Sequence, residues 1–461
     1  MIFMVDFSEK KDKELLEDAK SYLVQRWEPR PGYKPVVMTK GEGVYMWDAK
    51  GKKYLDFISQ LYNVHIGMGN RVPIEAAKKQ LDDLAYASPS YYNEPQIKLA
   101  KKLAQITPGD LCQTFFGNSG TEANEVAIKL AQLYRGASKI ISFWDAYHGS
   151  TYAMVSVGGS ARNRQAKGLS IMEEFKHIAS PYCYRCPYKK TYPECDLFCA
   201  DFLKYTIEKE GENSVAAFMA EPICSWAGQV VPPEGYWKKI REICDEKGIV
   251  MIFDEVMTGF ARTGKMFATE HWDIVPDIET YAKGITCGYV PLGACIINKK
   301  MADHFDNEGF PHSYTYSGHS VACATALAVI DYYLENDLAE KAASMGDYLM
   351  DELVGMMDRV DIIGDVRGLG LFMGVELVKD RDSKESLVPK KLSKDDKMDP
   401  EKNPMQYFSD KIKENGLIVG SSWGTSILRM MPALIITKEE LDEGLQMLEQ
   451  TLTETMMKFD L

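Results

Sequence analysis

The sequence predicts an α/β protein: a large domain built on a mostly parallel sheet covered by helices, with a smaller α+β domain beside it. Three observations lead there. Between residues 137 and 300 short apolar runs, KIISFWD, SVAAFMAEP, IVMIFDEV, DIETYAKG and GACIIN, alternate with helical stretches. Strands of a parallel sheet are buried on both faces, so they read as continuous apolar runs rather than as alternating ones. The chain has 461 residues, more than one hydrophobic core usually supports, which predicts two domains and a cleft between them. Its composition, 45% hydrophobic and 26% charged, is that of a chain able to bury a core throughout.

Residues 12–26 have helical character. The proline-broken stretch EPRPGYKP follows, and then VYMWDAKGKKYLDF reads as two short strands around Asp48-Ala49-Lys50-Gly51. Helical periods dominate from about 74 to 135, interrupted by Thr107-Pro108-Gly109-Asp110 and by the apolar stretch CQTFFGNSG. After the run of strands, residues 320–358 read as two successive helices, and RVDIIGDVRGLGLFMGVELV as strands with a glycine turn. The lysine- and aspartate-rich stretch 379–403 reads as a solvated loop, and a last helix begins at Thr437-Lys438-Glu439-Glu440. The expected division is an N-terminal arm with part of the small domain over 1–75, the large domain over 76–325, and the rest of the small domain over 326–461. In such folds ligands sit outside the carboxyl ends of the strands.

A net charge of -13 argues against general attraction to nucleic acid or anionic lipid, while leaving room for a local basic pocket. The first twenty residues lack the apolar core of a signal peptide, and no run approaches the roughly 20 apolar residues of a spanning helix. Small-molecule chemistry in the cytoplasm is the expectation.

Asp254 ends the strand GIVMIFDEV, and Lys283 follows a second apolar segment 29 residues later. The pair suits pyridoxal 5'-phosphate (PLP), which needs a lysine for a Schiff base and an acid beside its pyridine nitrogen. Taken singly, Asp254 reads as a helix cap and Lys283 as a solvated lysine. Ser119-Gly120-Thr121 precede a helix, where free N–H groups and the helix dipole favour phosphate; an ordinary loop capped by Thr121 is the plainer reading. Tyr147 follows KIISF, placed to stack on a flat heterocycle or simply to pack.

Seven motifs then occur in order: Gly120-Thr121-Glu122-Ala123, Tyr147-His148-Gly149, Glu221-Pro222, Asp254-Glu255-Val256, residues 258–264 (TGFARTG), Lys283-Gly284, and residues 315–319 (TYSGH). Together they resemble the class III aminotransferases over nearly the whole chain, nearest in look to the taurine, β-amino-acid and 4-aminobutyrate transaminases. The resemblance implies PLP, fold type I and a homodimer with active sites at the subunit interface. It implies that Ser119, Gly120 and Thr121 hold the phosphate, with Thr315 reaching it from the neighbouring subunit. By the same resemblance Tyr147 covers one ring face, His148 belongs to the cofactor-binding set, and Val256 packs under the ring. Glu221 and Asp254 form the acidic pair near the ring nitrogen, Lys283 carries the cofactor, and Arg429 binds the carboxylate of a keto acid, 2-oxoglutarate or pyruvate.

Two positions depart from the family pattern. The 4-aminobutyrate enzymes carry a second glutamate that pairs with the arginine, and Trp226 stands there; Met257 replaces a common glutamine. An ω- or β-amino donor is therefore expected, with taurine, a β-amino acid, 4-aminobutyrate and 3-aminobutyryl-CoA as candidates. A racemase or phospholyase on the same scaffold, and a silent partner-binding scaffold, are the alternatives. Tyr62, Tyr91 and Tyr92 are candidates for the substrate wall, with core packing an equal reading. Of ten cysteines, Cys183-x2-Cys186-x8-Cys195-x3-Cys199 has a spacing that suits zinc or an iron–sulfur cluster, with disulfides and free thiols as alternatives.

Overall fold

Successive residues of the apolar runs point to opposite faces of one sheet, and both faces are buried. Ile141, Phe143, Phe218, Ala220, Met251 and Phe253 pack on one side with Tyr236, Trp237 and Ile240. Ile140, Ala217, Met219, Val250 and Ile252 pack on the other against Val126, Ala127 and Leu130 of the helix Gly120–Arg135. This two-sided burial is why the runs lack alternation.

The computed structural model describes residues 9–25, 34–160, 168–389, 392–393, 396–421 and 425–461. An antiparallel hairpin set opens it: β1 (Met38–Glu42), β2 (Tyr45–Asp48) and β3 (Lys53–Asp56). The central sheet contains β4 (Leu111–Gly117), β5 (Lys139–Phe143), β6 (Phe175–Ile178), β7 (Val215–Ala220), β8 (Val250–Asp254), β9 (Ile278–Tyr281) and β10 (Gly293–Asn298), in the order β4-β10-β9-β8-β7-β5-β6. From β9 to β6 the neighbours are parallel, whereas β10 runs antiparallel to both β9 and β4. The β9–β10 connection holds only a single turn, Lys283–Ile285, and a parallel return needs a longer crossover.

Beyond two helices, Ser320–Glu335 and Leu338–Met357, lie β11 (Ile363–Leu369), β12 (Phe372–Asp380), β13 (Glu385–Ser386), β14 (Leu417–Ile418), β15 (Gly420–Ser421) and β16 (Ile427–Met430). Strands β11-β12-β16-β15 form an antiparallel sheet with β13 on β12, and β14 instead extends the first sheet by pairing in parallel with β3. The stretch read as a solvated loop is thus partly ordered, with Leu387 fully buried beside β13. The first helix spans Glu9–Tyr22, a few residues earlier than its periodicity implied. The last, Lys438–Phe459, starts at a capping box in which Thr437 and Glu440 bond each other's backbone N–H.

That helix lies on Phe57, and the closest approach is at Gly444, where an added Cβ would stand 2.1 Å from Phe57 Cζ. Alanine in place of a mid-helix glycine gains up to about 1 kcal/mol, but overpacking a core costs about 1–3 kcal/mol. With Phe57 fully buried, the steric term wins. Gly444→Ala is expected to lower the melting temperature; an unchanged or higher value would show that the helix can shift.

Candidate active site

The carboxyl ends of β4, β8 and β9 and the segment after β5 converge on a cavity of about 380 Å³ whose wall includes Ser119, Gly120, Thr121, Tyr147, His148, Asp254, Val256 and Lys283. Sequence reasoning spread these residues over four elements, and the sheet order brings them together.

One wall is the start of the helix Gly120–Arg135. Its N-cap is Ser119, not Thr121: the Ser119 hydroxyl accepts from the Glu122 N–H at 3.2 Å, which leaves its own proton free to donate. Glu122 in turn accepts from the Asn118 N–H at 2.6 Å and from Asn118 Nδ2 at 2.8 Å, closing the loop. Glycine is required at the helix start, because a Cβ on Gly120 would meet both Val256 methyls at 2.9 Å. The result is an open cradle backed by a helix dipole, a shape and charge that fit a phosphate.

The floor is Asp254, which is buried. Its Oδ2 accepts from Asn124 Nδ2 at 2.8 Å and meets His148 Nδ1 at 2.7 Å, and its Oδ1 accepts from the Val256 N–H at 3.0 Å. Thr280 fixes Asn124 from behind, its hydroxyl donating to Asn124 Oδ1 at 2.6 Å. Asn124 was missed from sequence, although a polar residue on the buried face of an apolar helix was the signal. His148 Nε2 is buried without a hydrogen-bond partner among the described residues.

Lys283 follows β9 in a left-handed conformation, φ +48°, at the start of the Lys283–Ile285 turn. Burial holds its ammonium below the ordinary lysine range, while Asp254 and Glu221 pull the other way. Glu221, at the end of β7, accepts from the Ser225 N–H at 3.1 Å and from the Ser225 hydroxyl. Burial raises its carboxyl above the usual range; His148 opposes that and Asp254 adds to it.

Above the floor is a three-layer stack. The Tyr147 and Trp226 rings lie 5.2 Å apart at 21°, and the Arg429 guanidinium sits 5.3 Å from the centre of the Trp226 ring. Arg429, on β16, is buried; its Nη2 donates to the Trp226 carbonyl at 2.9 Å, and its Nε has no hydrogen-bond partner among the described residues. The stack needs a close approach, and Gly374, paired with Arg429 across the sheet, provides it: a Cβ there would lie 2.6 Å from the Gly228 carbonyl oxygen.

Other candidates lie outside the cavity of their own chain. Tyr62 does not line the cavity. Its neighbours Leu61 and Asn63 do, because the chain from Ser59 to Tyr62 runs through left-handed conformations that turn Tyr62 into an apolar cluster with Ile223, Met257 and Phe372. Tyr92 is 85% exposed and Tyr91 71%, outside the cavity of their own chain, where the backbone turns outward into the Asn93-capped helix Glu94–Ile106. Thr315 is exposed too, its carbonyl accepting from the Tyr86 hydroxyl at 2.9 Å.

Cys183, Cys186, Cys195 and Cys199 line one small cavity of about 20 Å³, and all four are free thiols. Among the described residues no three metal-ligating side chains are grouped for a metal ion, so the spacing alone misleads here. Burial pushes the Cys199 thiol up to about 12.

The family model for class III aminotransferases matches residues 29–452. The chain belongs to that family. This aminotransferase is 38% identical to the leucine/methionine racemase of Thermococcus litoralis over 92% of each chain. It is 32% identical to the taurine–pyruvate aminotransferase of Bilophila wadsworthia over 97% of this chain and 99% of that one. Among solved structures, the taurine:2-oxoglutarate aminotransferase of Bifidobacterium kashiwanohense, in complex with PLP and glutamate, matches with a TM-score of 0.89 at 34% identity, covering 96% of this chain and 98% of that chain. The protein is thus a PLP-dependent transaminase of fold type I. No helix among the described residues is long and apolar enough to cross a membrane.

Behind the aminotransferase site, Glu255 and Glu279 are both fully buried. Glu255 accepts from the Thr269 N–H at 2.9 Å and the Thr258 hydroxyl, Glu279 accepts from the Tyr281 hydroxyl, and Glu279 Oε1 has no partner among the described residues. Burial raises both carboxyls above the ordinary value of 4.5, and for Glu279 the neighbouring Glu255 adds to the rise. The folded state then holds more protons than the unfolded one, so this pair costs stability increasingly as pH rises from 4.5 through the raised folded values. Glu279→Gln is expected to gain melting temperature over wild type at pH 8 but not at pH 5; an equal gain at both would remove the pair from the pH dependence.

Proposed function

We propose that this aminotransferase moves an amino group from an ω- or β-amino donor to 2-oxoglutarate or pyruvate. Taurine, a β-amino acid, 4-aminobutyrate and a 3-aminoacyl thioester such as 3-aminobutyryl-CoA are the donors in question. The observation that carries the reading is Arg429, a buried guanidinium that no carboxylate pairs with among the described residues. A buried charge without a counter-ion is costly, so the site favours an anion from outside. A keto-acid carboxylate supplies one, and the planar fork fixes it with two parallel bonds. Trp226 offers Arg429 a ring face instead of an acid, so no carboxylate among the described residues competes. The donor then meets Trp226 and Met257 and need not present an α-carboxylate. The taurine enzymes among the relatives support the same donor class.

PLP, when bound, supplies a ring that accepts the electrons of the donor carbon. The cradle of Ser119, Gly120 and Thr121 would hold its phosphate, and Asp254, locked by His148 and Asn124, would face the ring nitrogen, with Glu221 behind it. Tyr147 and Val256 bound the ring faces. Lys283, its ammonium destabilised by burial, carries the cofactor and moves a proton at the donor carbon. We further propose a homodimer in which a second copy covers the exposed Thr315, Tyr91 and Tyr92 and brings Thr315 to the phosphate. Sedimentation is expected to give a dimer; a monomer with full activity would refute it. The racemase relative favours a second reading, inversion of an amino acid without any keto acid.

Wild type loaded with PLP is expected to show a visible absorbance band that one of these donors bleaches and a keto acid restores, while Lys283→Ala completes no turnover. Arg429→Lys keeps the charge but loses the fork, so KM for the keto acid is expected to rise about 10- to 100-fold with a smaller change in kcat. Inversion of leucine or methionine with no donor bleaching the band would replace transamination by racemisation.

A further inference from the structure

The turn Cys183–Arg185 and the loop around Lys384 face each other across an open groove of about 800 Å³, away from the PLP cavity. Arg185, Lys189, Lys190 and Lys384 line it together with Tyr184 and Tyr192, and none of the lining residues is acidic. In a chain of net charge -13 this is a local reversal of sign.

The positive charge is largely uncommitted. Among the described residues no carboxylate pairs with Lys189, Lys190 or Lys384; Arg185 alone is engaged, its Nε donating to Glu376. Two of the nearby acids are occupied elsewhere: Asp380 accepts from the Ser383 N–H at 2.7 Å, and Glu385 pairs with Lys379 at 3.4 Å. Lys384 Nζ donates to the Tyr184 carbonyl at 2.8 Å and lies 4.3 Å from the centre of the Tyr184 ring, with the Arg185 guanidinium 5.5 Å from the same ring. Cations and aromatic surface are thus held side by side on a groove wall.

That wall is anchored and points back to the substrate site. Tyr182 and Arg185 both donate to Glu376 on β12, Arg367 Nη1 donates to Glu376 Oε2 at 2.8 Å, and Arg367 Nε donates to the Gly228 carbonyl at 2.6 Å. Gly228 lies two residues beyond Trp226. A chain of four hydrogen-bonded residues therefore joins the groove to the loop that carries the Arg429 stack.

We propose that this groove binds the nucleoside diphosphate end of a thioester-borne amino donor. The lysines meet phosphate oxygens as mobile point charges, and the tyrosines offer a flat apolar face to the base. The proposal rests on the donor reading above, which admits a 3-aminoacyl thioester, and it adds where the carrier sits.

Calorimetric titration of the PLP-loaded enzyme with coenzyme A, ADP, pyrophosphate and adenosine tests it, with the triple variant Lys189→Glu, Lys190→Glu, Lys384→Glu as comparison. Coenzyme A and ADP are expected to bind wild type more weakly as salt rises and to lose about 10-fold or more in affinity in the variant. Turnover of taurine or β-alanine should stay unchanged, because none of the three lysines touches the PLP cavity. Absence of coenzyme A and ADP binding at millimolar concentration would overturn the proposal, as would undiminished binding to the variant. Pyrophosphate binding as tightly as ADP would remove the nucleoside from it, and adenosine doing so would remove the phosphates. Small-donor turnover without coenzyme A binding sinks the groove alone, whereas loss of all donor turnover in wild type sinks the donor reading.

Discussion

The organisation of the site depends on one buried carboxylate. A sheet that is apolar on both faces exposes polar groups only at its strand ends, and Asp254 sits at such an end under the cavity. A charge placed there must be satisfied by the protein itself, since leaving it alone costs more than any single packing contact returns. Its partners come from the helix Gly120–Arg135, from the segment after β5 and from the turn after β8. Satisfying the carboxylate therefore fixes the mutual position of the phosphate cradle, the ring cover Tyr147 and the Val256 face. Lys283 is the complementary case: desolvation weakens its charge while the acids below keep that weakening moderate.

Much of this was legible in the sequence, for physical reasons that differ by element. The central strands were readable because two-sided burial demands unbroken apolar runs, whereas β6, the edge strand FKHI, was not, since half its residues are polar. The antiparallel course of β10 follows from a connection too short for a crossover, a feature visible in spacing but not in hydrophobicity. Asp254, Lys283 and the glycine and hydroxyl loop were found because their chemistry and order are restrictive. Tyr62 was misplaced because the positive φ angles of Ser59, Gln60 and Tyr62 reverse where a side chain points, and no periodicity announces them. The cysteine spacing describes what a metal would accept, but among the described residues the four side chains are neither disulfide-bonded nor grouped as a ligand set.

The exchange of an acid for Trp226 changes what Arg429 is between turnovers. An acid partner would neutralise the guanidinium and would have to be displaced by each incoming carboxylate. An aromatic face stabilises the cation by roughly 0.5–2 kcal/mol without cancelling its charge. Because Trp226 also stacks on Tyr147, a cavity wall and the Arg429 guanidinium share one side chain, so changes at Trp226 reach both.

The parallel pairing of β3 with β14 reaches beyond architecture. The Ser59 hydroxyl donates to the Met431 carbonyl across 372 residues, and the Phe57 and His65 carbonyls accept from the Met431 and Leu434 N–H groups of the same distant segment. During synthesis the early hairpin must therefore wait, its partner strand still unmade, until nearly the whole chain has left the ribosome. Contacts this far apart in sequence close slowly. Arg429 lies beside that late segment on β16, so the Trp226 stack is built from parts 203 residues apart that are synthesised at different times.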